Sequence, residues 1–394
     1  MFLSSFEADL AELRVQNLYR QLRPLELTGP VRALSRGREL LLFCGNDYLG
    51  LSRHPRVIEA AKQALARFGT GAGAARLVSG TSFLHAELEA QTAKLKNKPQ
   101  ALVFSAGYLA NLGVLSALAK AGDLIVLDKL AHASLIDGAK LSGAELRVFP
   151  HKNYDKLESI LKRSSGYRRR LIVTDTVFSM DGDLADMQAL KQIKEKYECL
   201  LIADDAHGTG VLGLEGRGAL EDAGLESAAD VITGTFSKAL GSLGGFASAD
   251  KPIIETLINK ARPFIFATAL PPVLCAAIQM AITVFQEEPE IRHRLWRNIQ
   301  RLHAVLKEAG LENAPLASPI LPVVVGDEEK ALGFSERLLE RGFFVPAIRY
   351  PAVAKGRARL RLTVCAAHTP DDIEALGQAL NEEKCSWMGK TEPR

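Results

Sequence analysis

Between residues 99 and 250 the chain repeats one pattern, a short run of consecutive apolar residues rich in Val, Ile and Leu followed by a longer stretch with helical spacing. Such runs predict buried strands joined by crossover helices, because a strand covered on both faces has no polar side to show in alternation. Seven runs qualify, at 101–105, 124–128, 146–150, 171–176, 200–204, 231–236 and 245–248. They predict an α/β domain with a seven-stranded, mostly parallel sheet flanked by helices.

Beyond Pro263 the texture changes. Pro271 and Pro272 open a helical stretch to about residue 309, and short runs at 320–325, 343–346 and 359–364 follow, which predicts a smaller C-terminal α+β domain. Residues 1–40 carry Leu10, Leu13, Leu18 and Leu22 near helical spacing and predict a helical arm in need of a partner surface. The expected division is an N-terminal arm at 1–45, a large domain at 46–268 and a small domain at 269–394, with a loose tail from residue 385.

Composition narrows the function without naming it. Hydrophobic residues make up 47% and charged residues 24% of the chain, as in a soluble globular protein. Basic residues number 49 and acidic residues 46, a surplus too small for the basic face that phosphate backbones require, so nucleic acid is not an expected partner. Glu7 and Asp9 fall where a secretory leader needs an apolar run, and no apolar stretch long enough to span a bilayer follows; the expectation is a cytoplasmic protein. Cys44, Cys199, Cys275, Cys365 and Cys385 are scattered, which suits idle thiols rather than a disulfide framework or a metal pair.

Candidate chemistry gathers where predicted strands end. Gly208, Gly210 and Gly213 match a GxGxxG dinucleotide pattern, but Asp204, Asp205 and His207 stand between strand and glycines, and Gly216 and Gly218 continue a loop where a helix would be needed. Asp204 ends a strand at the crevice where open α/β sheets bind ligands, as a ligand-pairing acid or as a cap. Lys238 follows the strand at 231–236 and precedes Gly241, Gly244 and Gly245; a desolvated amine there suits imine formation, the alternative being an ordinary surface lysine. In the segment from Ser105 to Asn111 a strand gives way to a helix, and its free N–H groups around Gly107 would bind an anion, with Tyr108 stacking on a ring or stapling the helix. His132 and Ser179 follow two further strands at the same edge.

A lysine for an imine, an acid for a pyridinium, a histidine and a phosphate-binding helix start are the parts of a pyridoxal 5'-phosphate site. The chain resembles the α-oxoamine synthases of the fold-type I pyridoxal-phosphate enzymes. The likeness runs from Asn46-Asp47-Tyr48-Leu49-Gly50-Leu51, through Asp204-Asp205-Ala206-His207-Gly208-Thr209-Gly210 and Ser318-Pro319-Ile320, to Arg359-Leu360-Arg361-Leu362-Thr363 and Ala366-Ala367-His368. It implies that Lys238 holds the cofactor and moves the Cα proton, that Asp204 pairs with the ring nitrogen and His207 with the ring oxygen, and that His132 stacks on the ring. Gly107, Tyr108 and Thr235 would serve the phosphate, joined by Thr268 from a second subunit, and Ser179 would lie near the ring hydroxyl. Arg361 would grip the amino acid's carboxylate, Asn46 would line the substrate pocket and Arg20 would meet the distal carboxylate of an acyl chain. The implied substrates are L-alanine and a pimeloyl thioester on coenzyme A or a carrier protein, and the implied assembly is a homodimer. Ala74, Ala75 and Ala267 depart from the residues usual in relatives, and Ala75 and Ala267 remove hydroxyls near the cofactor end. Other readings are a related synthase using glycine, a non-catalytic cofactor-binding regulator and a dinucleotide oxidoreductase.

Overall fold

The structure, a computed structural model, describes residues 2–312 and 315–387, so the expected loose tail lies largely outside the described residues. The chain opens with the helix Phe2–Val15, which leaves Leu3, Phe6, Leu10 and Leu13 exposed. The predicted helical arm ends there. Residues 26–42 form strands instead, β1 (Glu26–Leu27), β2 (Arg32–Ser35) and β3 (Arg38–Leu42), paired antiparallel. Pro24 and Pro30 disrupt helical continuation. Between β2 and β3, Arg36 and Gly37 both take positive φ, 50° and 77°, the backbone of a tight two-residue hairpin turn.

The predicted sheet follows as β4 (Gln100–Phe104), β5 (Leu124–Asp128), β6 (Glu145–Phe149), β7 (Arg170–Asp175), β8 (Leu200–Asp204), β9 (Val231–Thr235) and β10 (Gly245–Ala249). The strand order is β4-β10-β9-β8-β7-β5-β6. Neighbours from β9 through β6 pair in parallel, whereas β10 runs antiparallel to both β4 and β9. The link from β9 to β10 is too short to hold a crossover helix, and a strand returning over so few residues must reverse. Every residue of β5, β9 and β10 is buried, which is why these runs show no alternation. Helices Gly107–Leu118 and Ala133–Ser142 cover one face, bringing Val114, Leu115 and Leu135 against Ile125, Leu127 and Val173 in a single apolar cluster.

After the helices Pro272–Glu287 and Pro289–Glu308 come β11 (Ile320–Gly326), the helix Glu328–Glu340, β12 (Phe343–Phe344), β13 (Ala347–Ile348), β14 (Ala358–Thr363) and the helix Pro370–Trp387. β12 joins β3 in parallel, so the N-terminal hairpin belongs to a four-stranded sheet, and β11, β14 and β13 form another. One compact unit gathers the described residues of Met1–Gly45, Met180–Gly182 and His293–Arg394; the other comprises Asn46–Ser179 and Asp183–Arg292. This differs from the expected division in two places. Residues 26–42 are sheet partners of the C-terminal segment, and the helix Pro272–Glu287 sits with the large unit because it packs along the helices Pro55–Phe68 and Phe83–Leu95 and buries Cys275, Ile278 and Phe285. Among the described residues, no helix is long and apolar enough to cross a membrane and no cluster of side chains could hold a metal ion. Cys199, Cys275 and Cys365 are buried free thiols and Cys44 is half-buried and free; the side chain of Cys385 lies outside the described residues.

Candidate active site

Parallel strands end at one edge, so Asp175 of β7, Asp204 of β8 and Thr235 of β9 arrive together. The buried carboxylate of Asp204 accepts hydrogen bonds from Asn111 Nδ2 at 2.6 Å and from the Ala206 N–H at 2.9 Å. Asn111 reaches it from one turn inside the helix Gly107–Leu118 and uses its second amide hydrogen on Ser134 Oγ at 2.9 Å. Asp175 pairs with Asp204 across the ladder and accepts from the His132 N–H at 2.9 Å. Burial and then the charge of Asp204 push the Asp175 carboxyl well above the usual carboxylate range.

His132 caps the helix Ala133–Ser142, its Nδ1 2.7 Å from Ser134 Oγ. The protein around it, and the charge of Lys238, hold this imidazole below its ordinary pKa against the opposing pull of Asp204. Both burial and the charge of Lys238 favour the neutral ring. Tyr108 meets it edge-on with centroids 6.1 Å apart and donates its hydroxyl to Asp137. His207 is buried beyond the end of β8, its Nδ1 2.8 Å from the hydroxyl of Tyr48, which also lies 3.2 Å from Asn46 Oδ1.

The helix start at Gly107 is pressed onto β9. A Cβ at Gly107 would lie 2.8 Å from Thr235 Cβ, so only glycine lets the first helical N–H groups come this close. Thr235 Oγ1 lies 2.7 Å from Ser237 Oγ, donates to the Gly244 carbonyl at 2.7 Å and accepts from the Ser237 N–H at 3.1 Å. Lys238 follows, half-buried. Ser179 is half-buried in the turn after β7, and Thr268 is exposed, bridging to Ala75.

Two expected residues belong to the other compact unit. Arg361 is buried on β14, and burial pushes the Cys44 thiol up to about 12 against the opposing charge of Arg361. Arg20 is exposed and donates to the Tyr350 carbonyl at 3.0 Å. That unit also has a cavity of about 720 Å³ lined by Arg23, Arg36 and Arg38, apart from the strand-end residues.

The strand-end residues fit pyridoxal phosphate. Asp204 is a buried carboxylate whose two donors are neutral, leaving its charge for a protonated ring nitrogen. The Gly107 cradle offers N–H groups for a phosphate, and Lys238 supplies an amine at the same edge. The glycines 208, 210 and 213 lie in turns, followed only by the one-turn helix Ala219–Asp222, so the dinucleotide pattern lacks its helix. Sequence reasoning passed over Tyr48, Asn111, Asp137 and Asp175. For Asn111 there was a signal, an amide one turn after Gly107 in an otherwise apolar helix.

Comparison with known proteins places the chain in a family. The sequence profile of the family Aminotransferase class I and II matches residues 38–380. The 8-amino-7-oxononanoate synthase of Geobacter sulfurreducens is 46% identical over 94% of this chain and 95% of its own. The chain belongs to the aminotransferase class I and II family, among the 8-amino-7-oxononanoate synthases. Of solved structures, the serine palmitoyltransferase of S. paucimobilis with bound PLP and myriocin is 33% identical and superposes with a TM-score of 0.92, covering 98% of each chain. The 8-amino-7-oxononanoate synthase of Francisella tularensis is 30% identical with a TM-score of 0.76, covering 88% of this chain and 98% of that one. The seven-stranded, mostly parallel sheet expected from the apolar runs and the fold-type I architecture implied by the resemblance are both borne out.

Proposed function

We propose that the protein condenses L-alanine with a pimeloyl thioester, on coenzyme A or a carrier protein, to 8-amino-7-oxononanoate, carbon dioxide and the free thiol, a step of biotin synthesis, and that it does so in the cytoplasm as a homodimer. The observation that carries the reading is the meeting of Asp204, Lys238 and the Gly107 cradle at one sheet edge, in a chain 46% identical to an 8-amino-7-oxononanoate synthase. Bound pyridoxal phosphate supplies an electron sink for the carbanion formed at the amino acid's Cα.

The residues divide the work. Asp204 keeps the ring nitrogen protonated, which its charge favours inside a dry edge. Neutral His132 covers a ring face, and His207 and Ser179 hydrogen-bond the ring oxygen. Gly107, Tyr108 and Thr235 hold the phosphate, with Thr268 reaching it from the second subunit. Lys238 takes the Cα proton as base and returns one after the carboxyl group has left, acting as base and acid in turn. Arg361 presents a planar fork of donors to the alanine carboxylate, Asn46 lines the pocket, and Arg20 meets the distal carboxylate of the acyl chain.

The test incubates the cofactor-loaded protein with pimeloyl-coenzyme A and alanine, glycine or serine, and follows free thiol and carbon dioxide together. Alanine should release both in equal amounts, and Lys238→Ala should abolish release. Preference for glycine or serine, or an active Lys238→Ala variant, would overturn the assignment. Light scattering reads the assembly, with twice the chain mass expected.

A further inference from the structure

Asp205 sits one residue past the candidate ring-nitrogen acid, and it is almost completely buried with a lysine. The Lys96 ammonium, 1% exposed, lies 2.8 Å from Asp205 Oδ2. It also donates to Thr209 Oγ1 at 2.7 Å and to the Arg217 carbonyl, and it lies 5.6 Å from the centroid of Phe246. All three ammonium hydrogens are thereby used on positions 205, 209 and 217 of one glycine-rich loop. The other oxygen of Asp205 accepts from Thr176 Oγ1 at 2.6 Å and from the Ala219 N–H at 3.2 Å. Gly218, at φ 117°, has no room for a Cβ beside this carboxylate. The loop that carries His207 is wound around the ion pair.

Consecutive residues at a strand end project to opposite sides. Asp204 turns to Asn111 and Asp205 to Lys96, so the peptide between them ties the aim of one carboxylate to that of the other. Two neighbours steady this peptide, the Asp205 N–H donating to the Thr233 carbonyl at 2.8 Å and the Thr176 N–H to the Asp204 carbonyl at 2.9 Å. Without Lys96, a buried carboxylate would stand uncompensated next to Asp204, and it would take up a proton or rotate toward water. Either response changes the position of Asp204 or the field around it.

We propose that Lys96 is a positioning residue for the contact between Asp204 and the cofactor's ring nitrogen, acting through Asp205; this rests on the reading of Asp204 given above. Titrating the cofactor-free protein with pyridoxal phosphate and with its 1-deaza analogue, which has C–H in place of the ring nitrogen, isolates that contact. Wild type should prefer pyridoxal phosphate. In Lys96→Met the affinity for pyridoxal phosphate should fall about 10- to 100-fold, the size of a lost hydrogen bond to a charged group, while the analogue is little affected. Lys96→Met/Asp205→Asn removes both charges, so it should melt near the wild-type temperature and recover most of the preference for pyridoxal phosphate. A retained preference in Lys96→Met, a loss that persists in the double variant, or an equal loss for both ligands, overturns the role of Lys96. Should wild type itself show no preference, the assignment of Asp204 fails first.

Discussion

Asp175 and Asp204 pair across the β7–β8 ladder, both buried, and burial together with the charge of Asp204 drives Asp175 toward the neutral form. As a neutral acid its task is to accept the His132 N–H, and an amide oxygen does that equally well. Asp175→Asn should therefore bind pyridoxal phosphate within about threefold of wild type, the variation expected when a neutral hydrogen bond is kept. Asp204→Asn should lose about 10- to 100-fold, because a charge-assisted contact is removed. Fluorescence titration of the two variants checks this, and equal losses would show that both acids carry charge.

Three histidines tilt the stability profile in opposite directions on the two sides of pH 6.5. Burial lowers His85 and His368 to about 4, with the charge of Arg76 adding to the effect at His85. The unfolded chain then binds more protons than the folded one between pH 6.5 and 4, and stability falls as pH falls through that window. His151 behaves oppositely: burial opposes its charge, but hydrogen bonds to Asp128 and Asp183 outweigh burial and raise it to about 9. Its contribution is complete below 6.5 and is lost as pH rises to 9. Melting temperatures across this range should trace both limbs, and His151→Gln should flatten the alkaline one.

Gly107→Ala places a methyl group 2.8 Å from Thr235 Cβ. Helix and strand must separate, at about 1–3 kcal/mol for an overpacked site. The change should weaken binding of pyridoxal phosphate and leave that of pyridoxal, which has no phosphate, unaltered. A uniform loss for both would place the phosphate elsewhere.

Tyr48→Phe removes a buried hydroxyl that lies 2.8 Å from His207 Nδ1. Denaturant unfolding should show a loss of about 0.5–1.5 kcal/mol, the net worth of one such bond. No loss would mean that water replaces the hydroxyl.

The seven strands were legible because strands buried on both faces leave unbroken apolar runs, and the structure moves their ends by a residue or so. Residues 26–42 misled, since leucines near helical spacing outweighed the turn at Arg36 and Gly37, where hairpin geometry resides. Asp204 and Lys238 stood out by following strand ends. Asp175, Tyr48 and Lys96 matter only through partners far along the chain, at His132, His207 and Asp205, and no local pattern encodes such adjacency.

The insertion of β10 between β4 and β9 bears on synthesis. During translation β4 emerges early, but its only partner in the sheet, β10, leaves the ribosome after every other strand of that sheet. The edge closes through a long-range pairing, the slow kind. Gly107 follows β4 directly and rests on Thr235 of β9, so a nascent chain would complete its phosphate cradle last and cofactor would arrive on a nearly finished sheet.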